Sequence, residues 1–514
     1  MGLVDVNVVL GRFAGGGACF DDVGQLQGEL KRLGIGAALV HHAVAAEADI
    51  VAGNALLNRL VAGHQNLYPC WVMAPSYAGD LPSPSDWVRQ ARDAGVRAVR
   101  IFPRYHLYDL REWCIGPLCS ALEEASLPLM IEFGPRHWSE SIIPWDSIRE
   151  IAREHPGLNI VIIGATVGDV RALPCLLAEL PNLNAELHAF NPPDALEQLV
   201  SAGLAKQLLF GTGLPRRAAE CVVGQMRAAQ IGEHEFRAVA GDNAARLFGM
   251  QSPPASQTNA NERRRFDVID VHAHIGSWER TTTPVKGPEA CIASMDRCGV
   301  DRMIFSSFTA IHGETRIGNV ETAEAITAGR GRLFGYAVVN PNYPEESLDD
   351  LTRLFAGDSG FVGLKLHCQL HGAQLHEPGY AESLAFASAH GLPVLVHGGG
   401  HDRWDDVARR YPDAIFIMAH ACSWDGRNPV GRTLYERVRH TPNLYVDVSG
   451  SAAHRGALEA LIDLVGAEKI FYGSDFPMFD LGFEVGRVTL SSISDRHKEL
   501  ILGVNARRVF TRLR

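Results

Sequence analysis

Five residues in the second half of this 514-residue chain could do chemistry by their type and placing. His272 and His274 stand at i and i+2 in Asp270-Val271-His272-Ala273-His274. Side chains alternate along a strand with period two, so both imidazoles face the same way. Two histidines on one face begin a divalent metal site. Three further polar residues end apolar runs: His397 in LPVLVHGGG, His420 in IFIMAHA and Asp475 in IFYGSDFP. A lone histidine in such a place is ordinarily a hydrogen-bonded core residue. Four histidines and an aspartate, each at a strand end, outweigh that reading. Lys365 and His367 make another i, i+2 pair, in VGLKLH. As an inward pair they suit binding of a substrate carboxylate. His371, His376 and His401 fall on loops beyond the strands and read as solvated side chains.

Strand-end residues converge only when strands are neighbours pointing the same way, and the chain supplies such strands twice. VDVNVVLG pairs with IDVHAHIG, placing Asp5 opposite Asp270, and LGIGAALV pairs with CGVDRMIF. VRAVRIF sets Arg100 against Lys365, and LPLMIEFG sets Glu132 against His397 in LPVLVHGG, all 265 residues apart. IVIIGA, PNLNAEL and LFGTGLP meet FIMAHA, PNLYVDV and FYGSDFP in the same order, at offsets of 256 to 262. Ordered matches at nearly constant spacing mark a tandem duplication. Each copy alternates short Val, Ile and Leu-rich runs with helical stretches, the pattern of parallel strands covered on both faces. Eight strands fit in each copy of about 250 residues, so the expected fold is α/β, two tandem (β/α)8 TIM barrels. An open doubly wound sheet is the runner-up, but no GxGxxG follows a first strand. The expected division is a first barrel over 1–250, a polar linker over 251–265 and a catalytic barrel over 266–514.

The HxH on strand 1, His on strands 5 and 6 and Asp on strand 8 resemble the amidohydrolase superfamily. IDVHAHIG and GSDFP are similar to its branch containing aminocarboxymuconate-semialdehyde decarboxylase and related metal-dependent hydrolases. The resemblance covers residues 266–514. It implies that His272, His274, His397 and Asp475 ligate one divalent metal, zinc first and manganese as the alternative. It makes His420 the unligated base, sharing catalysis with Asp475. Water on such an ion has its pKa lowered from 15.7 to about 7. Lys365 occupies the strand-4 slot where the binuclear branch carries a carboxylated lysine bridging two metals. Bridging, anion binding and a structural role all stay open for it.

The implied activity is hydrolysis of a lactone, amide or ester carbonyl in a small carboxylate-bearing substrate. Non-oxidative decarboxylation or hydration of an unsaturated or aromatic acid is the alternative. A metal-stabilised scaffold without turnover is the reading from another class, and His420 stands against it.

In the first copy the five slots hold Asn7, Val9, Glu132, Gly164 and Gly213, so a metal site of this type is not expected there. That barrel is either purely structural or the stand-in for a homodimer partner, lending a loop to the second pocket. Lys+Arg 48 against Asp+Glu 59 gives a net charge of -11, without the broad positive field that nucleic acid or an anionic membrane would want. The Arg263-Arg264-Arg265 run in the linker reads as solvated. No apolar run is long enough to span a bilayer. The N-terminus lacks a basic n-region, and ten scattered cysteines show no CxxC pair. A cytoplasmic enzyme with a small-molecule substrate, and with further oligomerisation left open, is the expectation.

Overall fold

The computed structural model describes residues 2–134, 142–251, 266–279, 287–399, 403–423, 429–450 and 453–513. The linker expected at 251–265 lies outside the described residues apart from Gln251, as do Arg263, Arg264, Arg265 and His401. The chain divides into two compact units, Met1–Ala260 and Asn261–Arg514.

The first unit has strands β1 (Leu3–Leu10), β2 (Ile35–His42), β3 (Leu67–Val72), β4 (Ala98–Ile101), β5 (Leu129–Glu132), β6 (Ile160–Ile163), β7 (Leu183–Glu186) and β8 (Leu208–Leu209). The second has β9 (Ile269–Ile275), β10 (Arg302–Ser307), β11 (Leu333–Val338), β12 (Phe361–His367), β13 (Pro393–His397), β14 (Ile415–Met418), β15 (Leu444–Asp447) and β16 (Ile470–Phe471). Each set forms one sheet in chain order, and every neighbouring pair is parallel. The sheets close on themselves: Val6 N–H donates to Phe210 O in the first, and Val271 N–H to Tyr472 O in the second. Helices separate the strands, so both units are (β/α)8 barrels, as the duplication implied.

The helices follow from local sequence. Asp22 caps Val23–Leu33 by accepting the N–H of Gln25, and Val23, Leu26, Leu30 and Leu33 form its buried face. Gly34 ends it at φ +75°, and the matching helix Pro288–Cys298 ends at Gly299, φ +74°. Glycine takes that left-handed conformation without a Cβ penalty. Buried amides repeat as well. Asn54 brackets the backbone of Val72, and Asn319 brackets that of Val338. Asn243 and Asn505 each donate to two carbonyls beside the last strand.

Inside the second barrel, Ile269, Val271, Ile304, Leu395, Ile417 and Phe471 pack against Phe510 from the last helical segment. Strict alternation would put Val271 on the face opposite His272. Instead the pairing of β9 with β10 shifts register between Met303 and Phe305. That irregularity lets Val271 join the apolar floor while His272 and His274 both serve the mouth. Among the described residues no helix is long and apolar enough to cross a membrane.

Candidate metal centre

The C-terminal strand ends of the second barrel meet in a buried polar cluster. His272 is fully buried. Its Nδ1 lies 3.1 Å from Asp447 Oδ2 and 2.9 Å from Ser449 Oγ, and its Nε2 lies 2.8 Å from Lys365 Nζ and 3.4 Å from Asp475 Oδ1. With Nδ1–H donated to the carboxylate, Nε2 keeps its lone pair and faces the cluster. His274 places Nε2 3.0 Å from Asp475 Oδ1 and Nδ1 3.1 Å from Ser306 Oγ. His272, His420 and Asp475 each offer a ligand atom within 4.8 Å of the others. His397 sits beside them, its Nδ1 3.0 Å from His420 Nε2, and stacks on His367 with centroids 4.1 Å apart. These donors, several imidazoles and one carboxylate, fit a divalent ion of the zinc or manganese type.

Burial sets the protonation. It holds His272 and His274 below the usual imidazole range, and the Lys365 charge adds to this. Burial and then His420 push His397 down to about 2. Neutral imidazoles keep the lone pairs that a metal needs. Burial would raise the Asp475 carboxyl, but His420, His274 and His272 carry it well below its ordinary value. The Lys365 ammonium, entirely buried, falls to about 8.

Two residues of the cluster sit in an uncommon backbone conformation. His420 has φ +57° and Asp475 φ +58°. Their counterparts in the first barrel, Gly164 and Gly213, have φ +81° and +68°. The fold thus demands a left-handed residue at both places. The second barrel fills them with side chains at a cost of roughly 1–2 kcal/mol each. Backbone strain kept where glycine would relieve it accords with a functional site.

The structure brings together His272, His274, His397, His420, Asp475 and Lys365. His367 lies against His397, with its Nδ1 accepting the N–H of Leu370. His371 is buried, and its Nε2–H donates to Ile311 O, so it is not the solvated side chain its loop position suggested. Sequence reasoning passed over Asp447 and Ser449, which orient His272 and His420 from the end of β15. The signal was present: PNLNAEL and PNLYVDV both put an acid at that strand end. It also passed over Asp270, whose carboxylate accepts from the backbone of His272 and from Ser474. Burial raises that carboxyl to about 8. Phe308 stacks on His274 at 4.7 Å, and Trp278 lies 6.2 Å from Phe308 and 5.2 Å from His312. These rings form an aromatic wall beside the cluster.

A family model described as amidohydrolase matches residues 26–250 and again 269–512. No curated protein matches the chain. Solved structures similar to it include 2,6-dihydroxybenzoate decarboxylase from Rhizobium, at 17% identity and TM-score 0.39, covering 48% of this chain and 99% of its own. 5-Carboxyvanillate decarboxylase from Sphingomonas paucimobilis matches at 15% identity and TM-score 0.39, over 48% and 99%. A putative amidohydrolase from Staphylococcus aureus matches at 16% and 0.40, over 48% and 100%.

Proposed function

The chain belongs to the amidohydrolase family in both of its repeats, and from that premise we propose that its second barrel is a divalent-metal-dependent enzyme acting on a small carboxylate-bearing molecule. The observation that carries this reading is the trio of buried His272, half-buried His420 and buried Asp475, with candidate ligand atoms within 4.8 Å of one another at the barrel mouth. His274 and His397 would join His272 and Asp475 as the ligands, leaving His420 beside them as the base. Zinc is the first choice of ion and manganese the second. When bound, the ion supplies Lewis-acid polarisation of a carboxylate or carbonyl oxygen.

The chain's own groups would do the rest. Asp447 holds the Nδ1 proton of His272, so that Nε2 faces inward. His420 Nδ1–H donates to Ser449 O at 2.9 Å, which leaves Nε2 as the atom that takes or returns a proton. Lys365 is buried against His272 and offers positive charge to a substrate anion. His367 braces His397 by stacking.

Of the two reactions, decarboxylation of an aromatic acid has a specific observation in its favour. The wall of Phe308, Trp278 and His312 beside His274 offers stacking surface to a planar ring. Hydrolysis of a lactone, amide or ester is the second reading and uses the same base. The test is a panel of hydroxylated benzoates and lactones with zinc- or manganese-loaded protein. Carbon dioxide release from a benzoate is expected. Lactone opening without carbon dioxide would establish the hydrolase instead. Stoichiometric metal without turnover of either class would favour the scaffold reading.

A further inference from the structure

Loss of the metal ligands did not make the first barrel's mouth apolar. The strand registers of the two barrels match pair for pair: Val9 faces His41 as His274 faces Ser306, and Arg100 faces Met130 as Lys365 faces Leu395. In this frame Asn7 stands for His272, Arg100 for Lys365, Glu132 for His397, Glu186 for Asp447 and His188 for Ser449. Arg100 is 2% exposed and Glu186 0%. Arg100 Nη2 donates to Glu132 Oε2 at 2.6 Å and to Asn7 Oδ1 at 2.8 Å, while its Nε–H is buried without a partner. Glu186 Oε2 accepts from His188 Nδ1 at 2.6 Å, and Oε1 from the His188 N–H at 2.8 Å. Burying such charges is expensive even when they are paired, and apolar filler would avoid that expense.

His188 also takes over vacated space. A Cβ at Gly213 would lie 2.9 Å from His188 Cδ2, and one at Gly164 would lie 3.8 Å from His188 Cε1. Nε2 lies between these two carbons in the ring. It therefore faces the region that Asp475 and His420 occupy in the sister barrel. The imidazole has in effect moved from the strand-6 end to the strand-7 end, and two glycines make room for it. Glu132 and His188 are the partly exposed members of the network, with side chains 22% and 11% accessible.

We propose that this mouth is a second, metal-independent binding site, and that its ligand is a small molecule bearing a primary ammonium group. Glu132 is paired with Arg100, whereas the buried Glu186 is paired with His188, so a neutral His188 leaves the Glu186 charge to be balanced by an added cation. With its Nδ1–H given to Glu186, His188 offers an Nε2 lone pair, and Glu132 offers the oxygen not bound to Arg100. Both accept hydrogen bonds, and an ammonium donates up to three. At the rim Arg216 is paired with Glu47, and the Arg217 stem flanks Gly213 beside His188. Among the described residues the trio of clustered metal ligands lies in the second barrel, not here.

The test uses the full chain stripped of metal and labelled with ¹³C at histidine Cε1, with His188→Gln assigning the resonance. Methylammonium should shift the His188 signal saturably, and sodium acetate should not. Glu132→Gln should weaken methylammonium binding about tenfold, the loss of one charge-assisted hydrogen bond. Glu132→Asp keeps the charge beside Arg100 and should weaken it less, which separates loss of the acceptor from loss of fold. A saturable shift with acetate in place of methylammonium would overturn the assignment, as would no saturable response to either. Stoichiometric broadening of the His188 signal by Mn²⁺ would also overturn it, by showing a metal site.

Discussion

At position 420, glycine should be more stabilising than alanine, the reverse of the usual order. His420 has φ +57°, where an L-residue costs roughly 1–2 kcal/mol that glycine does not bear. Glycine loses about 0.5–1 kcal/mol more chain entropy on folding than alanine. The balance favours His420→Gly over His420→Ala by about 0.5–1 kcal/mol. Both variants remove the same imidazole and its contacts with Ser449 and His397, so those losses cancel in the comparison. Urea unfolding of metal-free protein, followed by circular dichroism, measures the difference without a ligand contribution. Ala385→Gly, on the exposed face of helix Ala381–Ala389, serves as the ordinary site and should lose about 1 kcal/mol. Turnover should be lost equally in both His420 variants. Alanine matching or exceeding glycine at 420 would refute the left-handed backbone there, and with it the claim that strain is carried for function.

Metal analysis of the purified chain should find about one equivalent of zinc or manganese, lost in His272→Ala and His397→Ala; metal retained at full occupancy in both would exclude them as ligands. Asp447→Asn should leave the fold intact and weaken metal binding about 10–100-fold, measured by chelator competition, because the proton on His272 Nδ1 loses its carboxylate. Lys365 is protonated in the unfolded chain up to about its ordinary value of 10.5 but in the folded one only up to about 8. Its burial penalty is therefore complete below pH 8 and relieved as pH rises from 8 to 10.5. Over that window metal-free wild type should gain stability relative to Lys365→Met, with a ceiling of about 3 kcal/mol; a difference that stays flat from pH 8 to 10.5 would mean that Lys365 is not desolvated.

The barrels were legible because their signals are local and occur twice. Apolar runs such as LVDVNVVL and IDVHAHI mark strands, and the repeat offsets reappear in the register of the sheet. The histidines and Asp475 were legible because each interrupts an apolar run at its end. Asp447 was not: an acid after LYV looks like the start of a solvated loop, and its role rests on a contact with a residue 175 positions away. The aromatic wall joins Phe308, Trp278 and His312 from separate segments, which no spacing rule links. The register shift in β9 and the left-handed backbone at His420 are properties of the closed barrel. In the first copy, comparing slots showed which ligands were gone. It did not show that His188 enters the vacated space, because that side chain comes from a neighbouring strand.

One pair of contacts separates shape from chemistry. Asp270 joins β9 to Ser474, and Asp5 joins β1 to Thr212 in the same manner. Each pair fastens the first strand to the segment that follows the last, in the barrel with the candidate metal ligands and in the one without. That closure uses protein atoms alone in both barrels, so it does not depend on which residues line the mouth. A lineage built this way can rewrite the mouth residue by residue while every intermediate keeps a closed barrel, so one half could abandon metal chemistry and remain folded.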